Sequence, residues 1–473
     1  MVTVEEMRAA DIAAQAHVAE SVLVERAGTQ VARTALRMLG GAYGRRVIVV
    51  AGRGNNGADG RVAPAALTRR GARVRVVDAG TPGPVPPCDL VIDAAYGTGL
   101  RGTYEAPPVP GGVPVLAVDI PSGIRGDDGS AAGRPVRATR TVTFAALKPG
   151  LLQGEGRTAA GRVEVADIGL APARWSIGEV DDDDVIAHLP RRPPETHKWA
   201  TAVAVVAGSH GMEGAAALAA RGAARAGSGM VRLAVPGSAA GGAEPAPGSW
   251  PTEAVRVGVP ATGWTAVVQP LLSRCRALVV GPGLGRSGPT QAEIRQLVAA
   301  AEVPVVVDAD ALAAFPDVAA VRAAASAAPR ALVLTPHDGE FARLAGSPPG
   351  PDRIAAARRL AGETGTVVLL KGSLTVVAAP PEGPGAVTVP GYPPVLLAAA
   401  GSPRLATAGT GDVLSGMIGA FLARGLPPPA AAAFAAHVHG RAAASGLPEG
   451  LVAGDLPDLV GAWLSERVAD DQG

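Results

Sequence analysis

Short runs of β-branched residues, separated by helix-like or Gly-rich segments, recur through this chain and limit its fold more tightly than any other feature. Arg46–Val50, Arg73–Val77, Asp89–Ile92, Val113–Val118 and Thr141–Phe144 form one series. Ala202–Val206, Val231–Val235, Ala277–Val280, Pro304–Val307, Ala331–Leu334 and Thr366–Leu370 form a second. Apolar strands alternating with crossover segments require parallel sheets covered by helices, so the fold class is α/β. At 473 residues the chain exceeds the roughly 250–300 that one core sustains, which predicts two domains. The strand rhythm ends after Asp167–Ile168–Gly169, ahead of the acidic run Asp181–Asp184 and the Pro-rich stretch Leu189–Pro194. A boundary placed there gives domains 1–178 and 179–473.

Local patterns fill in the connections. Val31, Ala35, Met38 and Leu39 repeat at helical spacing, predicting a helix that covers the first sheet. The acids Asp181–Asp184 precede Val185, Ile186 and Leu189 and read as the N-terminus of a short helix. Gly214–Arg225 is a helix of small residues, suited either to close packing or to tight approach of a ligand. Residues 236–262 and 379–394, rich in Gly and Pro without periodicity, read as loops.

Composition narrows the partners. Hydrophobic residues make up 48% and charged residues 18%, which is globular, and a net charge of +1 gives no reason to expect nucleic acid or an anionic membrane. Small-molecule partners are expected. The first sixteen residues carry Glu5, Glu6 and Asp11 and lack the basic start and apolar core of a signal peptide, so a cytoplasmic location is expected. No apolar run reaches the roughly 18 residues that span a bilayer. Cys88 and Cys275 have no ligand pattern around them and read as buried thiols.

Gly52–Arg53–Gly54–Asn55–Asn56–Gly57 follows a strand and matches the dinucleotide fingerprint G-x-G-x-x-G, with Asp78 ending the next strand. Chemistry argues against that use. A pyrophosphate needs bare backbone N–H groups, whereas this turn presents two carboxamides and then Asp59, whose ionised carboxylate would repel phosphate by about 3 kcal/mol at ~5 Å. Amide oxygens and a carboxylate suit a cation or hydroxyl and amide groups. Asp93 before Gly97–Gly102, and Asp119 before Pro121–Ser122–Gly123, offer the same chemistry at two further strand ends, where ligands of open α/β sheets bind.

The segments GRGNNGADG, DAAYGTGLRG and AVDIPSG, with Lys148–Pro149–Gly150, closely resemble the NAD(P)H-hydrate epimerase family over roughly residues 1–170. The resemblance implies a Rossmann-like three-layer α/β/α domain in which Asn56, Asp93 and Ser122 hold K⁺. It implies substrate contacts from Asn55, Asn56, Gly57, Ala58 and Asp59, from Gly97, Thr98, Gly99, Leu100, Arg101, Gly102 and Thr103, and from Asp119. Asp119 is the candidate acid/base residue, since inverting a carbon that bears a hydroxyl requires proton movement. Ala58 stands where this family usually has Gly.

In the second half, Thr407–Ala408–Gly409–Thr410–Gly411–Asp412 opens onto a predicted helix Asp412–Leu422, a place where backbone N–H groups and the helix dipole favour an anion. Asp412 is poorly placed to bind phosphate and well placed to take a proton from a hydroxyl attacking it. Gly281–Gly285, Asp308–Asp310, Thr335–His337 and Lys371–Thr375 also end apolar strands. Lys371 is either a strand-end side chain with a buried stem or a cation facing phosphates. His337 either caps a helix or faces a ligand, and Asp308 and Asp310 either bind Mg²⁺ or cap the next turn.

Together these segments resemble the ADP- or ATP-dependent NAD(P)H-hydrate dehydratase family, of ribokinase-like fold, over most of residues 195–440 from His197–Lys198 onward. The resemblance implies that Lys371, Gly372, Ser373, Leu374, Thr375 and Gly411 contact ADP or ATP, with Mg²⁺. It implies that Gly285, His337 and Asp412 face the hydrated nicotinamide; a homo-oligomer is expected as well. Trp199 and Ala200 replace Gly of that family, Asp338 replaces Pro, and Ala408 replaces Gly. The combined expectation is a bifunctional enzyme that epimerises R and S hydrates of NADH and NADPH and dehydrates the S form. A vitamin or sugar-alcohol kinase leaves the first domain unexplained, and a non-catalytic nucleotide sensor is the alternative from another class. An oxidoreductase would need pyrophosphate at 52–57, against Asn55, Asn56 and Asp59.

Overall fold

The apolar runs of the first half form β1 (Arg46–Ala51), β2 (Arg73–Asp78), β3 (Leu90–Ala94), β4 (Tyr104–Glu105), β5 (Val115–Val118), β6 (Gly133–Arg134), β7 (Arg140–Phe144) and β8 (Arg162–Ala166). In the computed structural model, which describes residues 1–172, 175–238, 250–386 and 391–470 (backbone only for 468–470), they build a parallel sheet of order β2-β1-β3-β5-β7-β8. β4 and β6 pair separately. β3 and β5 are buried throughout, as strands covered on both faces must be, whereas edge strand β2 is largely open. The predicted helical face lies on Glu20–Leu39: Val31 and Ala35 are buried, and Met38 and Leu39 pack against the same core.

The chain order reverses on either side of β1, so the loops after β1 and β3 open at a topological switch point. Helix Asn55–Thr68 starts directly off β1 because Gly57 allows it: a Cβ there would lie 2.0 Å from the Gly52 carbonyl oxygen. Ala58 lies inside this helix, outside the positive-φ region, so its methyl carries no backbone strain.

Residues 1–176 and 177–473 are two compact units. The second contains β9 (Ile177–Glu179), β10 (Ala202–Val206), β11 (Met230–Pro236), β12 (Ala254–Val259), β13 (Ala277–Val280), β14 (Val305–Val307), β15 (Leu332–Leu334), β16 (Val367–Leu370), β17 (Thr375–Ala378) and β18 (Val395–Ala398). Its sheet runs β12-β11-β10-β13-β14-β15-β16-β17-β18-β9, parallel from β12 to β16 and antiparallel through β17 to β18. β12 corrects the reading of 236–262 as loop: Arg256 and Gly258 break its apolar run because it is an edge strand. Residues 239–249 of that segment, and 387–390 of the loop 379–394, lie outside the described residues.

Helices Glu213–Arg225 and Thr410–Ala423 run side by side, and this contact is what the small residues of 214–225 serve. A Cβ on Gly222 would lie 2.4 Å from the Val413 carbonyl oxygen, and one on Gly416 2.0 Å from that of Ala219. Asp181 caps helix Asp182–His188 reciprocally with Asp184, at 2.9 and 3.0 Å. Trp199 is held by guanidinium–ring contacts from Arg274 at 3.7 Å and Arg232 at 5.9 Å. Cys88 and Cys275 are buried free thiols. Among the described residues no helix is long and apolar enough to cross a membrane.

Candidate active sites

In the first unit the loops after β1, β3 and β5 surround a pocket of about 360 Å³ with the helix Val4–Gln15. Asn55, Asn56, Asp59, Gly97, Thr98, Gly99, Leu100 and Asp119 line it, as the sequence segments suggest. Gly57 is spent on helix packing, Ala58 sits in the helix, and Arg101, Gly102 and Thr103 are exposed off the lining. Asp119 is held at φ +65°, a conformation rare for a residue with a Cβ. Its carboxylate accepts from Lys148 Nζ at 2.6 Å and from Thr143 Oγ1 at 3.1 Å. Lys148, 1% exposed, also donates to Thr143 Oγ1 and the Phe144 carbonyl.

Three acids, Asp11, Glu20 and Asp59, share this pocket with Asp119. Burial, then the charges of Asp119 and Asp11, push Asp59 up to about 8, and burial likewise raises Asp11. Asp59 is therefore largely neutral at pH 7, which removes the phosphate repulsion that the sequence suggested for an ionised carboxylate. Asp11 and the role of Lys148 were missed. Asp11 beside the buried Met7 and Ala10 was a faint signal, an acid on the inward side of an amphipathic helix.

Behind the pocket, Asp93 is fully buried and accepts from Ser122 N at 2.8 Å and Ser122 Oγ at 2.7 Å. Burial pushes it up to about 6 against those hydrogen bonds. The Asn56 amide lies between the Val118 carbonyl (3.0 Å) and the Gly97 N–H (3.3 Å). Carboxylate, hydroxyl, amide and carbonyl oxygens form a hard donor set, and a buried carboxylate without a basic partner gains from a cation. The three residues fit K⁺ on that chemistry.

In the second unit the loops after β13, β14, β15 and β16 meet the helix Thr410–Ala423. Asp308 is the hub: it accepts from Lys371 Nζ at 2.9 Å, Thr335 Oγ1 at 2.6 Å and Ser415 Oγ. Burial opposes its charge, but Lys371 and these hydroxyls hold Asp308 below the usual carboxylate range. Asp310 accepts from the Gly285 N–H at 2.9 Å and Arg286 Nε at 2.8 Å. Both acids thus organise neighbouring loops, and the described residues contain no cluster of three or more His, Cys, Asp or Glu fit for a metal.

Asp412 lies in the first turn of its helix, behind Gly409 at φ +89°. Burial, then the Asp308 carboxylate, raise it to about 7, with Lys371 pulling the other way. A Cβ on Gly411 would lie 3.6 Å from Lys371 Nζ, so the turn and the lysine are neighbours. Ala408 is not at positive φ and leaves the turn unstrained. His337 caps its helix, its Nδ1 accepting from Gly339 N and Glu340 N, while its ring stays exposed. Asp338, first in that helix, pairs with Arg353 at 2.8 Å, a position where Pro and acids are both favoured. Gly372 and Ser373 are exposed, Thr375 begins β17, and the Leu374 side chain is buried in the core, leaving only its backbone for a ligand.

The family model described as NAD(P)H-hydrate dehydratase matches residues 203–464, and that described as YjeF-related protein N-terminus matches 20–83 and 78–150. The bifunctional NAD(P)H-hydrate repair enzyme of Mycobacterium tuberculosis (strain ATCC 25618 / H37Rv) is 39% identical, covering 91% of this chain and 90% of its own. A ribokinase-like superfamily protein from Enterococcus faecalis superposes with a TM-score of 0.52 at 20% identity, covering 62% of this chain and 97% of that one, which shows the fold. The ADP/ATP-dependent NAD(P)H-hydrate dehydratase from Bacillus subtilis, co-crystallised with ATP and Mg²⁺, is 27% identical over 62% of this chain and 100% of its own, with a TM-score of 0.48. Both halves match in order, and the chain belongs to the family of bifunctional NAD(P)H-hydrate repair enzymes.

Proposed function

We propose that this chain repairs NADH and NADPH that have gained water across a ring double bond. Residues 1–178 interconvert the R and S hydrates, and residues 179–473 dehydrate the S form with ADP or ATP as co-substrate. The observation that carries the reading is Asp412: a carboxyl raised to about 7, at a helix N-terminus, beside Lys371. A base that titrates near neutrality is matched to removing a hydroxyl proton.

In the second unit Lys371 to Thr375 and Gly411 receive the nucleotide, and Gly285, His337 and Asp412 face the hydrate. Asp412 takes the hydroxyl proton as that oxygen attacks the terminal phosphorus, and the nucleotide leaves one phosphate shorter. The ring C–O bond then breaks, phosphate departs with the electron pair, and loss of the neighbouring ring proton restores the double bond. Phosphorylation makes a poor leaving group a good one. Mg²⁺ would be held by the nucleotide phosphates, whose charge it would offset, since the carboxylates nearby are engaged with Lys371, Gly285 and Arg286.

In the first unit Asp119 moves the proton, oriented by Lys148 and Thr143, while Asn55, Asn56, Asp59 and Gly97 to Leu100 hold the substrate. K⁺ held by Asn56, Asp93 and Ser122 would supply a fixed positive charge there. An epimerase joined to a stereoselective dehydratase leaves neither hydrate stranded. We assign the enzyme to the cytoplasm, on the acidic and signal-free character of its first sixteen residues, as a homo-oligomer. The test mixes the full chain with hydrated NADH, adds ADP or ATP, and follows recovery of dihydronicotinamide absorbance. Recovery of both epimers is expected; no recovery with either nucleotide overturns the proposal.

A further inference from the structure

The second unit has another cavity, of about 920 Å³, and none of the catalytic residues above line it. Helix Thr410–Ala423 carries the phosphate turn at its start and Arg424 at its end, so some 21 Å of helix separate the two. Arg192, Arg225, Arg424 and Arg467 are on the cavity wall with Trp463, and Asp458 is its one carboxylate among the described residues. That carboxylate is taken by Arg225 at 2.8 Å and Arg221 at 3.4 Å, and Arg467 pairs with Asp182 at 3.5 Å.

Arg192 and Arg424 are different: among the described residues neither pairs with a carboxylate, and their guanidinium groups donate to carbonyls. Arg192 donates to the Gly227 carbonyl, and Arg424 to those of Ala226 (3.3 Å) and Pro190. Both guanidinium groups converge beside Gly227, where an added Cβ would lie 3.0 Å from one and 3.7 Å from the other. Burial first, and then the nearby Arg192 charge, depress Arg424 to about 10. Capping of a helix C-terminus accounts for the bond to Ala226. Arg192 reaches the next carbonyl, Gly227, so two guanidinium groups meet at a helix end that one would cap, and Arg424 Nε and Trp463 Nε1, enclosed behind the cavity wall, have no acceptor among the described residues.

We propose that this cavity is a second, non-catalytic site for a phosphate-bearing small molecule, whose oxyanion is held between Arg192 and Arg424 beside the indole of Trp463. Paired guanidinium forks match phosphate oxygens, and an indole offers a flat face to whatever the phosphate carries. The inference stands apart from the repair activity.

Equilibrium dialysis of the full chain against labelled inorganic pyrophosphate, without nucleotide, tests it. An equivalent bound per chain beyond any held in the catalytic crevice is expected, weakened at least tenfold by Arg192→Gln, an exposed position whose change leaves the core intact, and unaffected by Lys371→Met. Arg424→Lys, which keeps the charge and loses the fork, should weaken it less than Arg192→Gln combined with Arg424→Gln. Competition by NADP⁺ would identify a nucleotide as the source of the phosphate; absence of competition, with pyrophosphate still bound, would identify a free anion. No pyrophosphate bound at millimolar concentration, or binding lost with Lys371→Met and retained with Arg192→Gln, overturns the proposal.

Discussion

Replacing Asp412 by Asn should abolish repair and at the same time make the protein harder to unfold. The unfolded carboxyl ionises near 3.8 and the folded one near 7, so between those pH values the folded chain holds a proton that the unfolded chain has released. Stability contributed at this position therefore falls as pH rises from about 4 to 7 and is flat above that. The gap of about three pKa units corresponds to at most on the order of 4 kcal/mol, the penalty for burying the charge at pH 8. The carboxamide of the variant has no charge to bury, so denaturant titration should show a gain that is absent at pH 4 and largest at pH 8. For wild-type repair, the base must be deprotonated: half is active at pH 7 and about a tenth at pH 6, so the rate should fall about fivefold across that unit. The reasoning fails if Asp412→Asn repairs normally, or if its stability difference from wild type does not grow with pH.

Two further substitutions address the first unit. Asp119→Asn should slow recovery of the R hydrate while leaving S-hydrate dehydration at its wild-type rate, read from separate time courses on the purified epimers; equal slowing of both would remove Asp119 from the epimerase role. Lys148→Met leaves the Asp119 carboxylate without its 2.6 Å partner and should cost about 3–5 kcal/mol in denaturant unfolding, part of which the double variant with Asp119→Asn recovers. A single-variant loss under about 1 kcal/mol would mean the pair is solvated in solution.

Strand existence was legible wherever burial on both faces imposes an unbroken apolar run, as in β3, β5, β10 and β13. It was not legible in β12, whose edge position tolerates Arg256 and Gly258, because sheet order is decided by contacts far apart in sequence. The candidate sites divide in the same way. Loops that follow strands announced themselves through Gly and Asp at strand ends, but Asp11 arrives from a helix far upstream of Asn55, and only the folded pocket brings it near Asp119. Nor does sequence report electrostatics: Asp59 and Asp412 are raised mainly by burial, and His337 needed its two N–H donors in place to be read as a cap.

Each unit sets a lysine beside carboxylates, with opposite results for the residue proposed to move the proton. In the first, Lys148 bonds directly to Asp119. In the second, Asp308 intercepts Lys371, and burial is outweighed at the lysine by Asp308 and Glu340, which raise its pKa. Asp412 is thereby left with a neighbouring carboxylate whose upward push exceeds the lysine's downward pull. On the proposed mechanism, Asp308 would be a positioning residue that, with burial, keeps Asp412 near neutrality. Asp308→Asn, which preserves an oxygen for Ser415 and Thr335, would remove that push and free Lys371 to act on Asp412. The midpoint of the repair pH profile should then move to the acid side of 7, with a weaker base and a lower plateau rate. A midpoint that stays near 7 or moves upward would show that burial alone sets the basicity of Asp412.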